Sequence, residues 1–200
     1  MKNNNRVKEY FSSKSTNYNK NKLSGFWGYL ARKETIAIKT FLNLQKDDYL
    51  LDAGCGSGFY TNILSNICAS VYGVDISENM IKQYKAKGFK GEVADLESLS
   101  LKKEFNKILC AGALEFCDDP NKVMESFSKH LILNGEMILI YPHKNFLGFM
   151  YKLFHQTHNI CVNLFNKAEL IELFHRNGLE FVSGKKVTLI SSIITARKIK

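Results

Sequence analysis

Short apolar runs alternate along the chain with segments whose apolar positions recur at helical spacing. Runs rich in apolar and β-branched residues, bounded by glycine or polar residues, predict strands. The predicted strands are 48–53, 70–75, 90–94, 105–111, 136–141, 179–184 and 187–197. The segments with helical spacing predict helices at about 58–68, 77–87, 119–132 and 167–177. This alternation predicts an α/β fold with a doubly wound, seven-stranded and mostly parallel sheet.

The two ends of the chain depart from this alternation. Only about three residues, Gly184–Lys186, separate the last two predicted strands, which is too short for a crossover helix. These strands must therefore pair antiparallel, and the last one is reversed. Ahead of the first strand, residues 1–22 are predicted to be mobile or loosely helical, and 23–44 to form one or two helices. A chain of 200 residues without a glycine-, serine- or proline-rich linker suits one domain.

A glycine-rich turn follows the first predicted strand and precedes the first helix of the sheet. The strand ends at Asp52, and glycines stand at 54, 56 and 58. Glycine allows backbone angles that other residues resist and lets a ligand approach the main chain closely. The free amides of the following helix point into the same turn. Such a turn at the end of a parallel strand is typical of a nucleotide-like ligand site.

Two further acids end the second and third predicted strands. Asp75 is placed to accept hydrogen bonds from a ribose diol. Asp95 could hold an exocyclic amine such as that of adenine, with Leu96 covering the ring. Each acid alone is equally well explained as a helix N-cap. Acids at three successive strand ends, with glycines after the first, favour a binding site.

The glycine spacing distinguishes between cofactors. Dinucleotide sites use G-x-G-x-x-G, whereas this chain has D-x-G-x-G-x-G, so a dehydrogenase is a distant alternative. The pattern resembles motif I of the class I S-adenosylmethionine-dependent methyltransferases, and the resemblance extends over about 45–197 through 105–116 and 133–140. It implies a Rossmann-like sheet with a reversed last strand, S-adenosyl-L-methionine as cofactor and S-adenosyl-L-homocysteine as product. The implied cofactor residues are Asp52, Gly54, Gly56, Gly58, Asp75, Ile76, Asp95, Leu96 and Ala111.

The resemblance also divides the chain. Residues 1–44 are expected to form an N-terminal helical cap, and 45–141 the cofactor-binding half. Residues 142–166, between the fifth strand and the next helix, are expected to form a helical substrate lid. Residues 167–200 then supply a helix and the antiparallel strands.

No catalytic base can be identified from the sequence. The sulfonium cofactor is already activated, so a base is needed only when the acceptor keeps its proton at neutral pH. Candidates near the predicted cleft are Glu115, Tyr141 and His143, although His143 is equally a surface turn residue. Residues 111–114 lack the Asn/Asp-Pro-Pro-Tyr/Phe motif, which disfavours N-methylation of adenine or glutamine.

Residues 145–165 are unusually apolar for a connection of this length. They are expected to form a lid over an apolar acceptor, a core helix, or a peripheral membrane contact. The candidate substrate residues are Phe149, Tyr151, Tyr18 and Trp27. The segment Glu9-Tyr10-Phe11…Tyr18 is weakly similar to quinone-biosynthesis methyltransferases.

Charge and cysteine content bear on partners and location. The net charge of +9 fits either a lysine-rich solvated surface or an anionic partner, and no RNA-binding motif is recognised. Scattered cysteines and an N-terminus without a signal sequence predict a cytoplasmic protein. His155, His158 and Cys161 lack a fourth ligand, so no metal site is predicted.

The predicted function is methyl transfer to a small, apolar or aromatic metabolite by a monomer or homodimer, without nucleic acid. An RNA methyltransferase is the first alternative. A non-catalytic binding partner with the methyltransferase fold is the second, and the intact glycines and acids argue against it.

Overall fold

The computed structural model describes residues 3–14 and 25–200, apart from the side chains of residues 26 and 27. Within these residues the helices are α1 (Asn3–Lys14), α2 (Gly25–Leu42), α3 (Phe59–Leu64), α4 (Glu78–Ala86), α5 (Pro120–His130), α6 (Phe146–Gln156) and α7 (Lys167–Arg176). The strands are β1 (Tyr49–Ala53), β2 (Ser70–Asp75), β3 (Lys90–Val93), β4 (Phe105–Ala111), β5 (Leu131–Pro142), β6 (Leu179–Lys186) and β7 (Ser191–Lys198). Two short 3-10 turns occupy Leu96–Ser98 and Leu114–Phe116.

The strands form one seven-stranded sheet in the order β3-β2-β1-β4-β5-β7-β6. Strands β1 to β5 pair in parallel, so their carboxyl ends lie along the same edge of the sheet. Strand β7 runs antiparallel to both β5 and β6. The predicted doubly wound sheet with a reversed last strand is therefore confirmed.

Both faces of the sheet are covered by helices, as a mostly parallel sheet requires. Ile108 and Leu109 are neighbours in β4 and point to opposite faces, yet both are fully buried. Ile108 belongs to the larger cluster, which includes Phe127 of α5 and Phe174 of α7. Leu109 belongs to the cluster on the other face, with residues of α2 and α3. Burial on both faces explains why the central strands read as continuous apolar runs.

Several predicted boundaries need correction. The helix after the glycine turn ends at Leu64 rather than 68, and the residues that follow, Ser65 and Asn66, have low helix propensity. Helix α5 spans Pro120–His130, with Asp119 as its N-cap, rather than 119–132. The last two strands are joined by 187–190 rather than Gly184–Lys186, which belongs to β6. Strand β5 begins at Leu131, because the chain pairs again with β4 across a register shift before 136.

The N-terminal segment is more regular than predicted. Residues 3–14 form the helix α1, with Val7 buried. Ser77 caps α4 by accepting from the Met80 amide, and Gly88 and Gly178 adopt left-handed angles where α4 and α7 end. Among the described residues, no helix combines the length and apolar character needed to cross a membrane.

Candidate functional site

The glycine turn lies at the carboxyl edge of the sheet, between β1 and α3. Gly54, Gly56 and Gly58 have φ angles of 76°, 53° and 84°, in the left-handed region that favours glycine. Asp52 lies beneath the turn, only 2% exposed, and its carboxylate accepts a hydrogen bond from Thr61 Oγ1 at 2.5 Å. Asp52 thus fixes the turn from below. Thr61 carries no sequence signal that would have revealed this role.

The turn contacts the ends of two neighbouring strands. A Cβ on Gly54 would lie less than 3.0 Å from the Cβ of Ala113, so the loop after β4 packs directly against the turn. The amide of Gly56 donates to Asp75 Oδ2 at 2.9 Å, and the amide of Ser77 donates to Asp75 Oδ1 at 2.9 Å. The ends of β1, β2 and β4 therefore form one slot.

The Asp75 carboxylate combines burial with unused acceptor capacity. Burial raises the pKa of Asp75, and the two backbone N–H donors oppose that rise. A carboxylate has about four lone-pair directions, and these two hydrogen bonds use two of them. The group can therefore accept further hydrogen bonds from a diol in the slot.

Asp95 and Leu96 continue the slot beyond β3. The amide of Ala94 donates to the carbonyl of Asp75 at 3.0 Å, which connects the two strand ends. Asp95 caps the 3-10 turn by accepting from the Glu97 amide at 3.0 Å, and Leu96 is buried behind it. The acid is thus also an N-cap, and both predicted roles are compatible in one residue.

Helix α1 reaches this slot through polar contacts that the sequence does not reveal. Asn4 Nδ2 donates to Asp95 Oδ2 at 2.9 Å, and the hydroxyls of Ser12 and Ser77 are 2.8 Å apart. Asn3 bonds the carbonyl of Phe116 at 2.7 Å and both backbone groups of Cys161. Helix α1 thus connects the cofactor side of the edge with the segment that follows α6.

Apolar residues of four segments meet beside the slot, and we call this cluster the apolar cap. It consists of Val7, Tyr10, Phe11, Ile76, Phe116, Tyr151, Ile160, Val162 and Leu164. Phe116 lies near its centre, with the Phe11 ring centroid at 5.3 Å and the Tyr151 centroid at 6.5 Å. Ile76, a predicted cofactor residue, and Tyr151, a predicted substrate residue, therefore pack against the same cluster.

The three candidate bases lie at the ends of two neighbouring strands, β4 and β5. Glu115 follows β4, is 3% exposed, and its Oε1 would lie 3.8 Å from a Cβ on Gly112. Tyr141 is buried in the core at the end of β5, and burial raises its pKa, so it keeps its proton at neutral pH. His143 is half-buried with Nδ1 3.3 Å from Ser192 Oγ, and burial together with Lys186 lowers its pKa. His143 is consequently neutral at pH 7 and able to accept a proton.

The predicted substrate residues separate. Tyr151 points into the apolar cap, whereas Phe149 is exposed and lines a cavity of about 610 Å³ between α6 and α7. A second cavity of about 390 Å³ is lined by Tyr141 and His143. Neither cavity includes a residue of the glycine turn. Tyr18 and the side chain of Trp27 lie outside the described residues.

The described residues offer little support for a reactive cysteine or a metal site. All five cysteines are free, and burial raises the pKa of the Cys55, Cys110 and Cys117 thiols, so they stay protonated. Over 3–14 and 25–200, no group of three potential ligands is placed to hold a metal ion. His155 instead packs among aromatic rings, at 4.6 Å from the Tyr151 centroid.

The fold and the slot together define a Rossmann-like domain with a site for a nucleotide-like cofactor at the carboxyl edge of its sheet. Comparison with known proteins specifies the class. A family model described as "Methyltransferase domain" matches residues 51–139. The uncharacterized protein MJ1123 of Methanocaldococcus jannaschii is 30% identical over 154 residues, which cover 75% of this chain and 73% of that protein.

Two further matches carry functional names. A ubiquinone biosynthesis O-methyltransferase of Coxiella burnetii is 27% identical over 115 residues, 54% of this chain and 49% of that protein. The match thus spans about half the length of that relative. The crystal structure of magnesium protoporphyrin IX methyltransferase from Synechocystis PCC 6803 with bound SAH superposes with a TM-score of 0.77 at 18% identity, covering 96% and 98% of the two chains. The chain carries a methyltransferase domain and has the fold of S-adenosylmethionine-dependent methyltransferases, and S-adenosyl-L-methionine is its cofactor.

Proposed function

We propose that this methyltransferase transfers the methyl group to a small, apolar or aromatic metabolite. The observation that carries the proposal is the apolar cap, which places Phe11, Phe116 and Tyr151 beside the slot. An acceptor that reaches the slot past these rings is surrounded by carbon atoms and aromatic faces. Such walls favour an apolar ligand oriented by a few polar groups.

We further propose how the chain holds its cofactor. The glycine turn cradles the methionine part, Asp75 accepts hydrogen bonds from the ribose hydroxyls, and Asp95 accepts one from the adenine amine. Ile76, Leu96 and Ala111 supply apolar contacts to the same ligand. Asp52 acts indirectly, because its buried carboxylate is bonded to Thr61 beneath the turn. The linked strand ends, with Gly56 bonded to Asp75, support this arrangement.

The chain's own contribution to the reaction is alignment and exclusion of water. When bound, the cofactor supplies a methyl group already activated on a sulfonium. Glu115 is the candidate closest to the slot, because it stands two residues after Ala113, whose Cβ abuts Gly54. We propose that Glu115 orients the acceptor, and that neutral His143 accepts a proton where the acceptor still carries one. Tyr141 is the weakest candidate, because its raised pKa opposes ionisation.

We propose that residues 142–166 act as the lid within a single domain comprising residues 1–200. Tyr151 then touches the bound acceptor on the cap side of α6, and Phe149, which is exposed on the α7 side, contacts the acceptor as it enters. Tyr18 and Trp27 stay candidates for the opposite wall. A cytoplasmic location is proposed from the free, scattered cysteines, and the active form is proposed to be a monomer or homodimer.

The experiment measures S-adenosyl-L-homocysteine release from the full chain with a series of phenols, catechols and aromatic amines, and separately with bulk RNA. Release with members of the small-molecule series is expected. Tyr151→Ala should lower kcat/KM for the best acceptor while leaving cofactor affinity unchanged. Tyr49→Ala is the matched control, because Tyr49 is 55% exposed at the opposite edge of the sheet.

RNA methylation is the alternative favoured by the net charge of +9. Release with RNA but with no small acceptor would replace the proposal by this alternative. Cofactor binding without release on any acceptor would instead favour a binding partner that keeps the methyltransferase fold.

A further inference from the structure

The solvent-facing side of α6 is apolar, the reverse of an ordinary surface helix. Phe146 is 76% exposed and Phe154 is 56% exposed. The other exposed apolar residues of this helix are Leu147, Phe149, Met150 and Leu153. The helix is held to the protein on its inner side, where Gly148 and His155 are buried and Tyr151 enters the apolar cap. We call the six exposed residues the α6 patch.

The surroundings of the α6 patch are basic. Residues 137–168 contain no aspartate or glutamate, but they contain Lys144, Lys152 and Lys167. Lys144 is paired with Glu169 of α7 at 2.6 Å, which leaves Lys152 and Lys167 as the basic groups of this stretch. Arg6 of α1 reaches the far end of α6, where its guanidinium donates to the carbonyl of Asn159 at 3.2 Å. An exposed apolar patch bordered by basic groups therefore matches a surface that offers both hydrocarbon and negative charge.

The length of α6 determines whether the helix could cross a bilayer or would lie on its surface. A helix of 11 residues is about 16 Å long, which is too short to cross a bilayer of about 30 Å. A short helix with one apolar side and basic neighbours lies in the plane of the bilayer interface instead. Phenylalanine, leucine and methionine side chains then enter the acyl boundary, and lysines stay with the headgroups.

Self-association explains the same observations less well. A two-fold contact through the α6 patch would bring Lys152 of one copy toward Lys152 of the other. No aspartate or glutamate of α6 itself would offset this charge. An anionic lipid surface removes this repulsion and attracts the remaining net positive charge.

We propose that α6 docks this protein on anionic membrane surfaces through the α6 patch, and that the acceptor reaches the apolar cap from the lipid phase. Tyr151 joins the two places, because it lies on the inner side of the same helix and packs against Phe116. The second half of the inference rests on the proposed function. The docking itself does not, because it requires neither cofactor nor acceptor.

The test is flotation of the full chain with vesicles of phosphatidylcholine alone and of phosphatidylcholine with about 30% phosphatidylglycerol. Wild-type protein should float with the anionic vesicles only, and high salt should weaken that binding. Phe146→Ser with Phe154→Ser should weaken it about tenfold or more, because two phenyl rings no longer enter the bilayer. Leu133→Ser is the control, since Leu133 is 61% exposed at the start of β5, on the opposite edge of the sheet.

Three results would overturn the docking proposal. These are no binding to anionic vesicles, equal loss in the Leu133→Ser control, or a concentration-dependent dimer that the double variant abolishes while vesicle binding is absent. A titration with S-adenosyl-L-homocysteine and transfer to a water-soluble phenol are run on the same double variant. If docking fails but transfer persists, the membrane inference alone is wrong. If docking holds but no small acceptor is methylated, the proposed function alone is wrong.

Discussion

Replacing Gly54 by alanine tests the glycine turn, and the chain offers a closely matched control. Gly54 has φ +76°, and a Cβ there would lie less than 3.0 Å from the Cβ of Ala113. Gly88 has nearly the same backbone angle, φ +85°, but a Cβ there would meet nothing within 4 Å. Gly88→Ala therefore reports the backbone cost alone, and Gly54→Ala adds the steric overlap at the slot.

The magnitudes follow from these geometries. A left-handed alanine costs roughly 1–2 kcal/mol at either position. For a chain of this size, each kcal/mol lowers Tm by roughly 2–4 °C. Overlap with Ala113 adds about 1–3 kcal/mol for Gly54→Ala, because the contact is with a side chain that has no rotamer to change. Relief of the overlap moves the turn away from β4, and cofactor affinity should fall by at least about tenfold, or about 1.4 kcal/mol.

The assay combines a thermal melt with calorimetric titration of S-adenosyl-L-homocysteine for both variants. Gly88→Ala should melt a few degrees below wild type and bind the ligand with unchanged affinity. A folded Gly54→Ala variant that binds S-adenosyl-L-homocysteine as tightly as wild type would refute the proposal that the glycine turn holds the cofactor. Equal loss of affinity in both variants would show that general destabilisation, rather than the slot, weakens binding.

Three other predictions concern separate parts of the structure. Asp75→Ala should weaken S-adenosyl-L-homocysteine binding by about 1.5–3 kcal/mol, since charged hydrogen bonds to a diol are lost, and an unchanged calorimetric affinity would mean that the ribose lies elsewhere. Burial lowers the pKa of His155 to about 4, below its ordinary value. The neutral ring therefore contributes fully to stability above about pH 6.5, and this contribution is lost as pH falls toward 4. The Tm of His155→Phe should depend less on pH over that range than the Tm of wild type, and parallel curves would contradict this. Asn3→Ala should lower the free energy of unfolding by about 1–3 kcal/mol, because buried backbone partners are left unpaired. The control Asn5→Ala should change it little, because Asn5 is exposed. Equal free energies of unfolding for the two variants in denaturant titrations would disprove a role for Asn3 in holding α1.

The slot could be predicted from the sequence because its signals are local. Asp52 and Asp75 lie in the last two residues of β1 and β2, and Asp95 follows β3 by two residues. Parallel pairing brings these strand ends to one edge. The glycines mark a turn through their own backbone angles. No long-range information is needed beyond the parallel pairing.

The contacts that hold the covering of the slot in place could not be predicted, because they join distant parts of the chain. Asn3 bonds Cys161, 158 residues away, and Asn4 bonds Asp95, 91 residues away. Residues 145–165 were ambiguous for a different reason. Apolar residues occupy both sides of α6, so their pattern does not distinguish the side that enters the cap from the side that faces solvent.

The most direct test of the account is a calorimetric titration of the wild-type chain, without added metal, with S-adenosyl-L-homocysteine and with NAD. The D-x-G-x-G-x-G turn linked to Asp75 predicts saturable one-to-one binding of S-adenosyl-L-homocysteine and no measurable heat with NAD. Binding of NAD with no binding of S-adenosyl-L-homocysteine would contradict the cofactor assignment and the functional proposals built on it.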